Sequence, residues 1–231
     1  MAIIHPTIHL PDYVRLFRQN LQSADARFRA PFGHVSKSVW RHRAQELLSR
    51  LYCFVAIERN TKLILAWHLG RRTAHDTSLF TEKLREATAG RFQITTDGFH
   101  PYPNAIKRSF GIDVDHSQLI KVYSSPRDGD QRYSPGEVID AVVIPKIGAA
   151  DYQRICTSHV ERQNLTIRMA MRRMTRLTNA FSKKWANLKY AYALWLAFYN
   201  FCRTHRTLRV TPAMQSGLTD HVWSLQELIA G

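Results

Sequence analysis

Cysteine is scarce in this chain. Its three cysteines, Cys53, Cys156 and Cys202, stand far apart and form no C-x-x-C pair. That spacing indicates neither a zinc frame nor a disulfide scaffold, and it fits a reduced, cytoplasmic setting. Long apolar runs are also missing. The nearest approach, Ala191 to Phe201, is short and interrupted by polar residues, so no membrane span or signal peptide is expected. Internal repeats and low-complexity tracts are absent. Acid is in short supply: 18 Asp and Glu stand against 33 Lys and Arg, a net charge of +15 with a pI near 10.2. An imbalance of that size points to a polyanionic partner, nucleic acid first. The hydrophobic share, 45% of 231 residues, is ordinary and large enough for a proper core, in one domain or one with a small appendage.

The shortage of acid is steepest late in the chain. From Arg154 to Arg209 there are twelve Lys or Arg residues, and Glu161 is the one acid among them. Glu161 falls in Thr157 to Arg176, which opens like a helix. Two readings of it stand side by side. Ser158 and Glu161 have the S-x-x-E spacing of a capping box, and a carboxylate in the first turn suits the helix dipole. Alternatively, Glu161 is a metal ligand in a phosphate-binding surface, which requires a second carboxylate elsewhere.

Taken in order, residues 1–50 form an atypical basic segment. Pro11 to Leu21 suggests a short amphipathic helix capped by Asp12, Arg27 to Arg43 is basic with scattered aromatics, and Arg41 to Leu51 suggests a second helix. At Leu51 the texture changes. Tyr52–Ile57 and Lys62–Leu69 read as a β-hairpin around Glu58-Arg59-Asn60-Thr61. Asp76 to Ala89 reads as an amphipathic helix ending before Gly90, Phe92 to Thr96 as a strand stopping at Asp97-Gly98, Pro101 to Phe110 as a short helix and Gln118 to Tyr123 as a strand. Ser124 to Ile155 is rich in Pro, Gly and polar residues and reads as an insertion with one strand, Val138 to Ile144. After the Glu161 helix, Lys183 to His205 is a second long one. Its stripe of Trp185, Leu188, Tyr192, Trp195, Leu196 and Tyr199 has the spacing of a core face rather than of a base-stacking surface. Pro212, Trp223 and Leu225 in the tail 208–231 are expected to pack on the body. The order implies an α/β fold, a mixed sheet covered by helices, with the strand ending at Asp97 beside the hairpin.

Asp97 supplies the second carboxylate. Asp-Gly is an ordinary turn signal, yet an acid at a strand end and another at a helix start can converge at one edge of a layered sheet. Two or three hard oxygen ligands with open positions suit Mg²⁺ or Mn²⁺ and in-line displacement at phosphorus. Arg168 lies two turns after Glu161 on nearly the same face, placed to hold a phosphate or simply to be solvated. Arg172, Arg173, Arg176, Lys183 and Lys184 extend the basic surface and would give salt-dependent DNA affinity with little sequence preference. His159 is a further candidate to orient a ligand or phosphate.

Four ordered blocks, T-T-D-G-F-H-P-Y, T-S-H-V-E-R-Q-N-L-T-I-R-M, R-L-T-N-A-F-S-K-K and Y-N-F-C-R-T-H-R-T-L-R-V-T-P-A-M, resemble insertion-sequence transposases of the DDE type, and more narrowly the insertion-sequence-one-like group. The resemblance covers roughly Tyr52 to Leu228. It implies a ribonuclease-H-like mixed sheet flanked by helices, with a catalytic core over 51–207, divalent metal, cleavage and joining of transposon DNA ends, and a homo-oligomer that synapses two of them. It also implies a prokaryotic, nucleoid-associated protein. By position Asp97 matches the second acid of the family's triad and Glu161 the third. The first acid belongs on an opening strand in a V-D-E-x-W-like block, and nothing in residues 1–51 matches it. Glu58, at the hairpin turn, is the remaining candidate ligand. The chain therefore resembles a truncated or rearranged copy whose sheet lacks its opening strand. Two functions follow: an impaired transposase, or a catalytically inactive DNA-binding remnant of one.

Overall fold

The computed structural model of the chain describes residues 2–4, 51–124, 138–174 and 185–230. The helices expected in 5–50, the loop 125–137 of the insertion, and Arg176, Lys183 and Lys184 lie outside the described residues.

The chain opens with a short strand, β1 (Ala2–Ile4). The hairpin follows as β2 (Leu51–Glu58) and β3 (Ile64–Arg71). β2 alternates cleanly. Phe54 and Ala56 enter one core cluster, Val55 and Ile57 the opposite side, as the two-residue period of a strand requires. A bulge interrupts the ladder at Leu65, where pairing steps from Ala56–Ala66 to Ile57–Ile64. The extra residue lets Leu65 and Ala66 serve the same side.

Helix α1 (Ala74–Glu86) begins at Thr73, whose hydroxyl accepts from the Asp76 amide. The Asp76 carboxylate in turn accepts from the Thr73 hydroxyl at 2.8 Å and the Arg71 amide at 3.1 Å, and meets His68 Nε2 at 2.8 Å. One acid thus ties the end of β3 to the start of α1. Gly70 is what leaves room, because a Cβ there would sit 2.2 Å from Asp76 Oδ1 and 2.7 Å from His68 Nε2. Next come β4 (Phe92–Thr96), α2 (Tyr102–Phe110), β5 (Val114–Tyr123) and β6 (Val138–Ile147). β4 and β5 run parallel, with Thr96 opposite Gln118, and β6 runs antiparallel to β5.

The strands form two three-stranded groups, β1-β2-β3 and β4-β5-β6, with β1 parallel to β2 and also lying against β4. Two expectations are corrected here. The place between hairpin and β4 is not empty, since Ala2–Ile4 fills it. For the same reason β4 does not adjoin the hairpin: β1 intervenes, and the hydrogen bonds of β4 run to β5. Strand limits also move. β5 begins at Val114 rather than Gln118, and β6 continues through Pro145 to Ile147.

Helices cover both sides. α1 and α2 pack with Phe54, Leu65, Phe92, Ile94 and Val114. On the other side lie α3 (Ser158–Ala170) and α4 (Trp185–Ala197), which bury Ile167, Leu188, Tyr192 and Leu196 against Val55, Ile64, Trp67 and Leu69. Leu188, Tyr192, Leu196 and Tyr199 of the stripe are therefore core, each contributing about 2 kcal/mol by removal from water, while Trp185 and Trp195 are partly buried against them. The second long helix is shorter than the sequence suggests, because Phe198–Cys202 widens into a π-helical turn. The chain ends with α5 (Pro212–Gln215) and α6 (Leu225–Ala230). Trp223 stacks on Phe201 at 4.6 Å between ring centroids and Pro212 is buried, whereas Leu225 stays exposed. No helix among the described residues is long and apolar enough to cross a membrane.

Candidate nucleic-acid interface and the acidic pair

Asp97 stands one residue past β4, exposed to solvent. Its Oδ1 accepts from the Phe99 amide at 3.1 Å, and Gln118 Nε2 donates to the Asp97 carbonyl at 3.1 Å and the Phe99 carbonyl at 3.2 Å. The turn reading of Asp-Gly is thus realised, with the side chain closing its own turn. Gly98 lies close to β5, where a Cβ would sit 3.0 Å from Ile120 Cγ1 and oblige that side chain to shift. The Tyr102 phenol is held well above its ordinary pKa, chiefly by burial and further by the charge of Asp97.

Glu161 lies in the first turn of α3, also exposed. The cap of that helix is Thr157, not Ser158, so the Ser158–Glu161 capping box does not form. Ser158 Oγ instead meets Cys156 Sγ at 2.8 Å. The Thr157 hydroxyl donates to Glu161 Oε1 at 2.9 Å, and Lys121 Nζ reaches the same oxygen at 2.5 Å. Lys121 belongs to β5, three residues beyond the Gln118 that faces Thr96, or about 10 Å along the strand. The pair therefore brings Glu161 to the end of the sheet at which Asp97 emerges, while among the described residues the two carboxylates share no hydrogen-bond partner. On β5 and α3 the side chains of Ser117 and Gln163 are buried, and among the described residues neither Ser117 Oγ nor Gln163 Nε2 has a hydrogen-bond partner.

Glu58 is engaged elsewhere. It is 3% exposed, and its carboxylate accepts from the Asn60 amide at 2.9 Å, the Thr61 amide at 2.5 Å and the Thr61 hydroxyl at 2.6 Å. These bonds close the hairpin turn, and the expectation that Glu58 ligates a metal gains no support from its geometry. Asp97 and Glu161 are hard oxygen donors of the kind Mg²⁺ and Mn²⁺ prefer. As arranged they do not fit such an ion: the Lys121 ammonium already sits on Glu161 Oε1, and among the described residues no group of three His, Cys, Asp or Glu is set to hold a metal.

Arg168, Arg172 and Arg173 are all exposed, the first in the last turn of α3 and the others in the 3₁₀ turn Arg172–Met174 that continues it. They form a basic end to the helix whose first turn holds Glu161. His159 faces the hairpin turn, its Nδ1 3.1 Å from Lys62 Nζ. Burial, then the charges of Lys62 and Arg59, push its pKa below the ordinary value. The Lys121–Glu161 pair and the Lys62–His159 contact join residues distant in sequence, and no local signal announces either. Comparison with protein-family models, curated proteins and solved structures returned no match.

Proposed function

We propose that the chain is a core of the DDE transposase type in which DNA binding persists and strand cleavage is impaired. The observation that carries this reading is the placement of the two matched acids. Asp97 follows a strand in the parallel part of the sheet, and Glu161, in the first turn of a helix over that sheet, is held toward the same end by Lys121 of the neighbouring strand. The order of strands and helices supports a ribonuclease-H-like sheet with β1 standing for the opening strand. A basic surface follows directly, through Arg168, Arg172 and Arg173.

The second reading, an inactive DNA-binding remnant, has its own support. The strand between β2 and β4 reads Ala2-Ile3-Ile4 and carries no acid. Glu161 is neutralised by a lysine, and Glu58 is committed to its turn. An intact catalytic set of three carboxylates is not what these residues build. DNA affinity separates both from a bland basic domain. Wild type is expected to bind duplex DNA of arbitrary sequence with an affinity that drops steeply with salt. An Arg172→Ala/Arg173→Ala variant is expected to bind less tightly, with a slope shallower by roughly 0.9 for each phosphate it no longer neutralises. Salt-independent binding, or none, would remove the nucleic-acid reading.

A further inference from the structure

Between Glu161 and Asp220 the chain has no Asp or Glu, and part of that unbalanced charge gathers away from the arginines at the end of α3. Among the described residues, the non-glycine positions with positive φ are Lys62 and Arg209, both at 62°. Glycine or asparagine adopts this left-handed conformation at less cost than a long side chain does. Each of the two tight turns concerned thus places a cation where an uncharged residue would fit better, and such strain is a reason to look for function.

The two turns are neighbours. Asn200 binds both the amide and the carbonyl of Ile64, at 3.1 and 3.0 Å, which fixes the π-helical turn to the start of β3, two residues after Lys62. From there the chain enters the second turn, closed by His205 N to Val210 O at 2.9 Å and Arg209 N to His205 O at 2.8 Å. Lys62 also donates to the Arg59 carbonyl and reaches His159 Nδ1 at 3.1 Å, and Ile57 packs on Val160 to hold the first turn of α3 in place. The cations act on one another. After burial, Lys62 and Arg203 depress the pKa of His205, as Lys62 and Arg59 do that of His159. Glu58 holds its carboxylate on the Asn60 and Thr61 amides, and its charge offsets part of the cations' effect on Lys62 and His159.

We propose that the hairpin turn at Arg59 and Lys62, the start of α3 at His159 and the turn carrying Arg203, His205 and Arg209 form a second phosphate-binding surface, which takes the backbone of duplex DNA. This rests on the reading that the chain binds DNA, and it adds a binding region that the arginines of α3 do not supply.

The test uses the full chain and a random-sequence duplex of about 30 base pairs, with affinity followed against salt. The variants are Lys62→Asn and Arg209→Asn, since asparagine tolerates the left-handed conformation while removing the charge. Each is expected to keep or raise the thermal midpoint and to weaken binding by roughly 3- to 10-fold, with a slope shallower by about 0.9 for each phosphate released from the surface. Wild-type affinity and slope in both variants would overturn the surface. If at the same time Arg172→Ala/Arg173→Ala binds poorly, the DNA reading survives and the turn surface alone falls. If wild type shows no salt-dependent binding, both fall.

Discussion

At the scale of single residues, two side-chain environments carry strong expectations. His116 is fully buried in β5, with Nε2 3.0 Å from the Thr96 hydroxyl and Nδ1 without a partner among the described residues. Burial lowers its pKa from 6.5 to about 4. Below pH 6.5 the unfolded chain takes up a proton that the folded chain refuses until near pH 4. Stability is therefore lost progressively across that window, by about 3 kcal/mol at its acid end. Urea midpoints at pH 7 and pH 4.5 measure this, and His116→Gln should flatten the difference; an unchanged difference would assign the loss to other groups. Gly70 is the other case. Alanine there meets Asp76 and His68 at 2.2 and 2.7 Å, so Gly70→Ala should cost roughly 2 kcal/mol through overpacking and disturbance of the α1 cap. An unaltered unfolding curve would mean the β3–α1 junction yields freely. Glu161 and Lys121 warrant less at this scale. Their side chains are 51% and 21% exposed, and an ion pair so placed contributes little to folding. Its significance is positional.

At the scale of elements, Asn200 joins the π-helical turn to β3 through both the oxygen and the nitrogen of its side-chain amide and is 1% exposed. Asn200→Ala removes both of these buried bonds to the Ile64 backbone and should cost roughly 1–3 kcal/mol, read as a lowered urea midpoint. A change below about 0.5 kcal/mol, the size typical of surface substitutions, would show the junction to be unimportant. This junction also marks where local sequence signals stop being sufficient. The hairpin, α1, α2 and the two sheet-covering helices were legible because their apolar periods and turn residues agree. Asp97 and Glu161 were legible as a strand end and a helix start for the same reason. β5 appeared four residues too short because Val114 is followed by Asp115, His116 and Ser117, whose polarity conceals a buried strand. β1 is three residues long and shows no period, so only its pairing with β2 reveals it. Ser158 has the capping spacing, yet Thr157 takes the cap position, one residue earlier. The Lys121–Glu161 pair depends on the register of β5, which the sequence of neither segment contains.

At the scale of the molecule, one sheet end gathers Asp97, Glu161 and Lys121, in a chain whose net charge is +15. The fold is a mixed α/β arrangement with helices on both sides, and the excess of positive charge is the ground on which a nucleic-acid partner is proposed. On the proposed reading, DNA cleavage at that end of the sheet is impaired. The most direct measurement is nicking of supercoiled plasmid in Mg²⁺ or Mn²⁺ by wild type, Asp97→Asn and Glu161→Gln, at a salt concentration where all three bind the plasmid. With Ala2–Ile4 in the place of an acid-bearing strand and Lys121 on Glu161, the account predicts that wild type nicks no faster than either variant. Metal-dependent nicking by wild type that both substitutions abolish would contradict it, and would make Asp97 and Glu161 a working catalytic pair.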